Sequence, residues 1–443
     1  MTPRTGSFIG RRQLLRQAAA AAGGAALGWW AGGLLRPGHG AARAAESPVA
    51  VAFWHGNSGP LGNILDALVS QFNATHPRYQ IRSEFVGNYT ALNQKVMSAV
   101  AAGTPPDAAQ AGAYGAVAEY LQENLIVPVQ KFVDGPDGLA RQSLADIFPG
   151  FLEDNTFVVG GRPTLVSWPF NKSVMVLYYN GTMLRSLRLG VPRTWDEFVT
   201  ASQRAMRAGK VTAGMGWTPG SDFFAALLLQ NGGRLLSPDA RQVQFQSDAG
   251  VRALAFLKDL YDRKIMYLTK QYDWQNDLVA QKICFAVSTI VSQQYIQQDL
   301  KGAWDLGVAP LPAGPRRATI LFGSNGVIFA HARPEAQAGA WAFFKWWAEP
   351  QQTALWSVQS HYLPLRRSAL DTQIMKHLFA QDPRQRVALD SLEYAHPMPD
   401  NVAAWVRIDP VLTDAITKAV TGLAAPRDAL QDAASRANTI LRG

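Results

Sequence analysis

The fold is indicated by residues 49–72, which read VAVAFWHGNSGPLGNILDALVSQF. Residues 49–54 are a short apolar run with β-branched and aromatic side chains, which predicts a buried strand. After a loop of small residues, apolar side chains recur with helical spacing at Leu61, Ile64, Leu65, Leu68 and Phe72. A second alternating segment, 80–86, and a second helical pattern over 92–100 follow. Strand, helix, strand and helix in this order predict βαβ units and a mostly parallel sheet.

The rest of the chain continues the same alternation. Segments 164–169 and 174–180 have the composition of strands, and segments 251–261, 410–420 and 430–441 have helical periodicity. Thr194 followed by Glu197 has the spacing of a capping box, which predicts a helix that begins there. The sequence therefore predicts an α/β fold.

The first 44 residues have the pattern of an export signal. They contain the pair Arg11 and Arg12, an apolar stretch over 18–35 and the small-residue site Ala42-Arg43-Ala44, with no acidic residue. A basic start, an apolar middle and an Ala-x-Ala end are typical of a cleaved secretory signal. The paired arginines and the glycine-rich middle indicate the twin-arginine (Tat) route. We therefore expect a periplasmic protein and exclude residues 1–44 from the fold.

Composition after the signal argues against several classes of protein. Removing residues 1–44 leaves 36 basic and 33 acidic residues, a net charge of +3, with no basic run to suggest nucleic-acid binding. The single cysteine, Cys284, excludes an internal disulfide, and its apolar surroundings predict a buried strand. About 400 residues suffice for two domains of ordinary size.

Local motifs for catalysis, metals or cofactors do not emerge. Gly56, Gly59 and Gly62 lack the dinucleotide-binding spacing, and neither a G-x-S-x-G nor an H-E-x-x-H motif is present. The seven histidines show no metal-ligand pairing by spacing. We therefore expect no metal, no cofactor and no enzymatic activity.

A series of short motifs in order is more specific than any one motif. The series consists of Phe53-Trp54-His55, Phe72-Asn73-Ala74-Thr75-His76-Pro77, Gly87-Asn88-Tyr89, Gly103-Thr104-Pro105-Pro106-Asp107, Trp168-Pro169-Phe170-Asn171-Lys172-Ser173, Leu177-Tyr178-Tyr179-Asn180, Pro192-Arg193-Thr194-Trp195-Asp196-Glu197, Gly323-Ser324-Asn325-Gly326, Phe343-Phe344-Lys345-Trp346-Trp347 and Tyr362-Leu363-Pro364. It resembles the extracellular solute-binding proteins of bacterial ABC importers, and most closely their glycerol-3-phosphate-binding members. The resemblance covers essentially the whole chain after the signal.

This resemblance implies two α/β lobes joined by crossing strands, with the ligand in the cleft between them. By analogy, lobe 1 takes residues 45–157 and 307–347, and lobe 2 takes residues 158–306 and 348–443. Hinge closure around the ligand is a known switching mode of such proteins. The loaded protein, expected to be a monomer that binds no nucleic acid, would deliver its solute to the ABC permease in the membrane.

The resemblance also implies a set of ligand-binding residues. They fall on Tyr89, Ser173, Trp217, Gly323, Tyr362 and, after a small alignment shift, Arg407. An arginine offers a planar fork for a phosphate, and a tryptophan offers an apolar face to a carbon skeleton. The implied ligand is glycerol-3-phosphate or a glycerophosphodiester such as glycerophosphocholine.

Two departures from the family pattern suggest a larger ligand. Ala113 stands where the family has a cleft glutamate, although a one-residue slip would bring Tyr114 there instead. Gly220 stands where the family has a second tryptophan. Both changes widen the pocket, which favours the glycerophosphodiester. Trp54 and His55 are further candidates for the cleft rim because they begin the first βα loop.

Three alternatives stay open at this point. The same fold could bind a sugar or oligosaccharide through aromatic stacking and polar side chains, without an arginine fork. An exported hydrolase would need a nucleophile or acid pair that the sequence does not reveal. A sensor that reports to a membrane receptor instead of a permease would have the same sequence pattern.

Overall fold

The computed structural model describes residues 47–442, which form one compact unit. The predicted signal and its cleavage site, residues 1–44, lie outside the described residues. Within residues 47–442, the longest apolar helices still fall short of what a bilayer span requires.

Helices account for about half of the described chain. The α-helices are α1 (Gly59–Thr75), α2 (Tyr89–Ala101), α3 (Ala116–Gln122), α4 (Gln130–Val133), α5 (Arg141–Ala145), α6 (Pro149–Glu153), α7 (Gly181–Ser186), α8 (Trp195–Arg207), α9 (Ser221–Gln230), α10 (Asp248–Asp262), α11 (Asp273–Val279), α12 (Ser292–Leu300), α13 (Pro334–Trp347), α14 (Pro350–Ser360), α15 (Gln373–Gln381), α16 (Arg384–Asp390), α17 (Trp405–Val420) and α18 (Pro426–Arg442). Short 3-10 helices cover Arg367–Asp371 and Ser391–Tyr394.

The strands form two sheets. They are β1 (Val49–His55), β2 (Tyr79–Phe85), β3 (Ala108–Ala111), β4 (Thr156–Val159), β5 (Arg162–Leu165), β6 (Trp168–Asn180), β7 (Ala213–Trp217), β8 (Met266–Leu268), β9 (Ile283–Thr289), β10 (Leu306–Ala309), β11 (Thr319–Ile328) and β12 (Ala395–Pro397). The main sheet has the order β2-β1-β3-β11-β6-β9-β7-β8, with β10 on β6 and β12 on β11, while β4 and β5 form a hairpin.

Parallel pairing occurs at both ends of the main sheet. Strand β1 is parallel to β2 and β3, and β7 is parallel to β8 and β9. Between these two halves, β6 pairs antiparallel with β11 through its first part and with β9 and β10 through its second part. The sequence predicted two separate strands over 164–169 and 174–180. That prediction was wrong, because residues 168–180 form one continuous strand that connects the two halves.

The local signals in the sequence agree with the structure where they are strongest. The hydroxyl of Thr194 accepts a hydrogen bond from the backbone N–H of Glu197 at 3.2 Å, so the predicted cap of α8 is confirmed. Cys284 is fully buried on β9, and burial raises the pKa of its thiol to about 12. The proposed lobe boundaries stay a prediction.

Aromatic side chains fill the core beside β1 and the first part of β6. Phe170 stacks on Trp347 with ring centroids 4.1 Å apart, and Phe53 meets Phe343 edge-on at 5.5 Å. Helix α13 packs on this core through its buried aromatic side chains, among them Trp341. This core fixes the strands whose ends carry the site described next.

Candidate functional site

The carboxyl ends of the parallel strands in both halves of the sheet carry a dense set of polar side chains. In the first half, β1 is followed by Asn57, β2 by Tyr89 and β3 by Tyr114. In the second half, β7 is followed by Asp222 and β8 by Tyr272. In open α/β sheets, ligands bind in the crevice outside the carboxyl ends of the strands. This edge is therefore the candidate binding site.

Four tyrosines from both halves come together at this edge, and we call them the tyrosine cluster: Tyr89, Tyr272, Tyr295 and Tyr362. Burial raises the pKa of Tyr362 well above its usual range, and the neighbouring Tyr89 hydroxyl adds to this rise. Tyr272 is 67% exposed, and partial burial, then Tyr89, raise its pKa. Burial, then Tyr272 and Tyr89, raise the pKa of Tyr295, so these three side chains are neighbours. Two of the predicted site residues, Tyr89 and Tyr362, are therefore brought together.

The position of Tyr89 is fixed by its neighbours in sequence and space. It is the first residue of α2, and the Asn88 side chain caps that helix by accepting from the Ala91 N–H at 2.9 Å. A Cβ atom at Gly112 would lie 2.5 Å from the Tyr89 ring, and one at Gly56 would lie 2.7 Å from it. Glycine at these two positions therefore makes room for the tyrosine ring.

Tyr362 is held by stacking. Its ring lies parallel to that of Trp356, with centroids 5.7 Å apart and an interplanar angle of 13°, and only 8% of the residue is exposed. The backbone N–H of the next residue, Leu363, donates to the carbonyl of Lys172 on β6 at 2.7 Å. Tyr362 is thereby tied to the strand that connects the two halves.

Carboxylates form a second group, the acidic cluster, around Tyr114. Its members are Tyr114, Asp222, Asp400 and Asp409. All three carboxylates act on the pKa of the Tyr114 hydroxyl, which burial already raises well above its usual range. The backbone N–H of Gly115 donates to Asp400 Oδ1 at 3.1 Å, and the Ser221 hydroxyl donates to Asp409. Tyr114 thus faces carboxylates from two distant segments of the chain, one with Asp222 and one with Asp400 and Asp409.

The surroundings of these carboxylates disfavour their charge. Burial raises the pKa of Asp222 to about 6, although the Phe223 N–H at 2.7 Å opposes this rise. Burial, reinforced by Asp154 and opposed by Lys172, raises the pKa of Asp400 to about 8. Burial also raises the pKa of Asp409. Carboxyl groups with raised pKa values inside a crevice are candidates for ligand contacts because a bound polar group can replace the water they have lost.

One buried ion pair lies behind the acidic cluster. Lys172 on β6 is almost fully buried, contacts the carboxylate of Asp154 and donates to Asn325 Oδ1 at 2.6 Å. Within residues 47–442, Lys172 is the one cation among the neighbours that shift the pKa values of the acidic cluster. Since its ammonium already contacts Asp154 and Asn325, it offers no free charge to an anionic ligand.

Ser173 and Gly323 lie on the two strands that connect the halves. Ser173 is buried on β6 and pairs in register with Phe322 of β11. Gly323 has a φ of 149°, and a Cβ atom there would lie 1.8 Å from the carbonyl oxygen of Asn171. The close approach of β6 and β11 therefore requires glycine at position 323. Its role in ligand binding stays a prediction.

Trp217 lies at the end of β7, mostly within the core of the second half. Only 4% of the residue is exposed, and its ring meets Phe223 edge-on at 5.9 Å. The structure therefore leaves little of this ring for stacking on a ligand. Gly220, three residues later, precedes α9, and a Cβ atom there would lie 3.1 Å from a carboxylate oxygen of Asp222.

The other predicted rim residues divide between the edge and the core. Ala113 directly precedes Tyr114 after β3, and both are partly buried. His55 is almost fully buried, its Nδ1 accepts from the Asn57 N–H at 3.3 Å, and burial lowers its pKa. Trp54 is partly buried, with the ammonium of Lys95 4.7 Å above its ring. Among these predicted rim residues, Tyr114 is the one that belongs to the acidic cluster.

Arg407 does not join either cluster, and its role as an arginine fork stays a prediction. Its side chain is exposed, and its Nη2 donates to the carbonyl of Ile440 on α18 at 3.5 Å. Residues two apart on a helix point in nearly opposite directions, at about 100° per residue. Because Asp409 of the same helix reaches Ser221, Arg407 points away from the acidic cluster. From the same segment, Asp400 lies beside Tyr114 in the acidic cluster.

Several site residues escaped sequence reasoning: Tyr272, Tyr295, Asp222, Asp400 and Asp409. Asp222 and Tyr272 follow strands β7 and β8 within a few residues. The rule that ligands bind outside the carboxyl ends of parallel strands could therefore have indicated them. Asp400 and Asp409 belong to a segment far along the chain, with no strand of the parallel halves beside them in sequence. Only the folded arrangement brings these two aspartates to Tyr114.

Comparisons with known proteins agree with this architecture. The sequence profile of bacterial extracellular solute-binding proteins matches residues 67–384. The sn-glycerol-3-phosphate-binding periplasmic protein UgpB of Escherichia coli K12 is 23% identical over 416 residues, which cover 90% of this chain and 94% of the relative.

Two solved structures show the same fold at low sequence identity. UgpB from Mycobacterium tuberculosis in complex with glycerophosphocholine has a TM-score of 0.77 at 22% identity, covering 89% of this chain and 98% of that one. The GacH receptor of Streptomyces glaucescens, solved unliganded and with acarbose, has a TM-score of 0.77 at 21% identity, covering 89% and 99%.

These matches establish the architecture and the class of protein. The fold is that of the two-lobed solute-binding proteins, and the matched relatives are solute-binding proteins, not enzymes. Proteins of this class bind small ligands outside the cytoplasm and deliver them to ABC permeases. The profile match spans well over half of the sequence, and the chain belongs to the bacterial extracellular solute-binding protein family.

Proposed function

We propose that this protein captures a neutral, polyhydroxylated solute of the sugar class and delivers it to the permease of an ABC importer. The observation that carries this proposal is the content of the crevice: three acidic side chains and four tyrosines, with Lys172, already paired with Asp154, as the one cation among the described residues that shift their pKa values. Carboxylates and tyrosine hydroxyls are suited to sugar hydroxyls, which both donate and accept hydrogen bonds.

Charge argues against a phosphate monoester as the ligand. Asp222, with its pKa near 6, is mostly ionised at pH 7, whereas Asp400, with its pKa near 8, is mostly protonated. A dianionic phosphate beside Asp222 would meet a like charge in a partly desolvated site, where like charges repel more strongly than in water. Such an anion needs an arginine fork or a free lysine to offset its desolvation. Arg407 faces Ile440, and Lys172 already contacts Asp154, so neither supplies that charge.

A glycerophosphodiester with a cationic head group is the second candidate, favoured by the acidic cluster itself. A quaternary ammonium would be attracted to Asp222, Asp400 and Asp409, whereas the singly charged phosphodiester could accept from Tyr89 and Tyr362. A pocket widened by Ala113 and Gly220, as the sequence suggests, would also accommodate this larger ligand. The UgpB relatives, named for glycerol-3-phosphate or solved with glycerophosphocholine, support this second candidate. A matched structure solved with bound maltose supports the sugar instead.

Export completes the proposal. The paired arginines Arg11 and Arg12 and the Ala42-Arg43-Ala44 site support delivery to the periplasm by the Tat route, followed by cleavage after Ala44. A folded, processed protein would meet its solute there. Ligand binding would then stabilise the closed state to the extent that the ligand prefers it.

A thermal-shift screen of the signal-free chain tests the ligand class. The panel contains maltose, maltotriose, trehalose, glycerophosphocholine and glycerol-3-phosphate, each at the same concentration. A ligand at a hundred times its Kd stabilises the folded state by about 2.7 kcal/mol, which raises the melting temperature by a few degrees. We expect a shift with at least one sugar and none with glycerol-3-phosphate. A shift with glycerol-3-phosphate alone would overturn the proposal, and one with glycerophosphocholine alone would favour the second candidate.

A further inference from the structure

Four buried polar side chains beside Tyr89 each carry an atom with no hydrogen-bond partner among residues 47–442. These atoms are Asn57 Nδ2, Gln110 Nε2, Asn171 Oδ1 and Ser324 Oγ. All four residues are at least 98% buried. We call this group the amide wall.

The amide wall is held in place by its remaining atoms. Asn171 Nδ2 donates to Asn57 Oδ1 at 3.0 Å and to the Tyr89 hydroxyl at 3.2 Å. Gln110 Oε1 accepts from the Gly56 N–H at 3.0 Å, and Ser324 pairs in register with Asn171 across β11 and β6. The wall therefore has a fixed geometry and adjoins the tyrosine cluster through Tyr89.

Leaving these atoms unpaired is costly. A buried polar atom without a partner costs about 1–3 kcal/mol relative to one that is bonded. Buried polar groups in folded proteins are nearly always satisfied by protein, water or ligand. Four such atoms in one patch, at the carboxyl ends of β1 and β3 and on the connecting strands, are therefore best explained by a partner that comes from outside the chain.

We propose that Asn57, Gln110, Asn171 and Ser324 form a subsite that binds hydroxyl groups of the solute, an inference that rests on the proposed function. The wall offers two N–H donors, one carbonyl acceptor and one hydroxyl. Neighbouring hydroxyls of a sugar can donate to the acceptor and accept from the donors. A phosphate offers only acceptor oxygens at neutral pH apart from its residual proton, so it would leave Asn171 Oδ1 facing another acceptor.

The variant Ser324→Ala tests this subsite because its hydroxyl makes no bond within the described chain. A matched control is Ser202→Ala, since the Ser202 hydroxyl is also fully buried and unpartnered but lies on α8, against β7 in the core. Each signal-free variant is titrated with maltose by calorimetry and melted without ligand. We expect Ser324→Ala to raise the Kd for maltose about three- to tenfold, the loss of one hydrogen bond, while Ser202→Ala leaves it unchanged. Neither variant should lower the ligand-free melting temperature.

The outcomes separate this inference from the proposed function. If the wild type binds maltose and Ser324→Ala binds it equally well, the amide wall is not part of the site although the sugar proposal stands. If the wild type binds none of the sugars, the sugar proposal fails. The amide wall is then tested by the ligand-free melting temperatures of the two variants. A melting temperature lowered by Ser324→Ala but not by Ser202→Ala would show that the Ser324 hydroxyl has a structural partner, which would overturn the subsite.

Discussion

The tyrosine cluster and the acidic cluster occupy the same edge of the sheet but differ in charge and in how they are satisfied. In the tyrosine cluster, the Tyr89 hydroxyl accepts from Asn171 and lies beside Tyr362. The acidic carboxyls come from separate segments, and burial raises their pKa values. The difference indicates that one end of the crevice recognises shape and hydroxyl groups, whereas the other end selects against negative charge.

Removing the cation behind the acidic cluster should produce the largest effect. Lys172→Met would leave Asp154 buried without its partner, and breaking a buried ion pair costs about 3–5 kcal/mol of unfolding free energy. Chemical denaturation measures this loss. The control is Lys95→Met, which breaks an exposed pair with Glu84 and should cost less than about 1 kcal/mol. Similar small losses in both variants would show that the Lys172 pair does not hold the crevice together.

Removing one hydroxyl from the tyrosine cluster should weaken binding without unfolding the protein. Tyr89→Phe deletes the acceptor of Asn171 and the neighbour of Tyr362, so we expect the Kd for maltose to rise about tenfold. Tyr120→Phe is the control because its hydroxyl is buried, has no partner within residues 47–442 and belongs to neither cluster; its ring lies beside Phe329. Intrinsic tryptophan fluorescence can follow both titrations. Equal affinities in the two variants would remove Tyr89 from the binding site.

The acidic cluster should make the stability of the protein depend on pH in the direction opposite to that of most carboxyl groups in folded proteins. Asp400 has its pKa raised to about 8 and Asp222 to about 6, so the folded protein binds more protons than the unfolded chain above pH 4. Stability from these two groups is therefore greatest at low pH and is lost as pH rises from about 4 to 8. Buried histidines such as His55, with a lowered pKa, act in the opposite direction.

A comparison of variants isolates this pH effect. Melting temperatures of the ligand-free wild type and of Asp400→Asn are measured between pH 5 and 9. We expect the melting temperature of Asp400→Asn, relative to that of the wild type, to increase as pH rises. The reason is that the amide stays neutral where the carboxyl group must ionise. A difference that is constant across this range would show that Asp400 ionises normally in the folded protein.

The smallest effect is expected at Arg407. Because its side chain is exposed and contacts Ile440, Arg407→Ala should change the Kd for maltose or glycerophosphocholine less than twofold. Calorimetry with both ligands checks this. A loss of affinity of a hundredfold or more would return Arg407 to the site and restore the phosphate fork expected from the family resemblance.

Sequence reasoning succeeded where the signal is local. The strand and helix of residues 49–72 and the cap at Thr194 depend on periodicity and on side chains three residues apart, so they were visible in the chain itself. The continuous strand β6 was missed because its polar centre, Asn171 to Ser173, resembles a break between two strands. Only its pairing with β11 and β9 shows that it is one element.

The site residues could likewise be predicted only where the sequence signal is local. Tyr89 and Tyr362 follow motifs with fixed surroundings, and the structure brings them together. The segment around Arg407 lacks such a motif, and in the structure Arg407 is exposed whereas Asp400 and Asp409 of the same segment lie beside Tyr114. Since one helical residue changes direction by about 100°, the sequence alone does not show which side chain of such a segment faces the crevice.

The most direct test is a parallel calorimetric titration of the signal-free protein with maltose and with glycerol-3-phosphate at pH 7. The crevice of carboxylates and tyrosines predicts saturable heat with maltose and no heat of binding with glycerol-3-phosphate. Tight binding of glycerol-3-phosphate, with no response to maltose, would contradict the account, because a dianion would then lie beside Asp222, which is mostly ionised at pH 7, while the nearby Lys172 is already paired with Asp154.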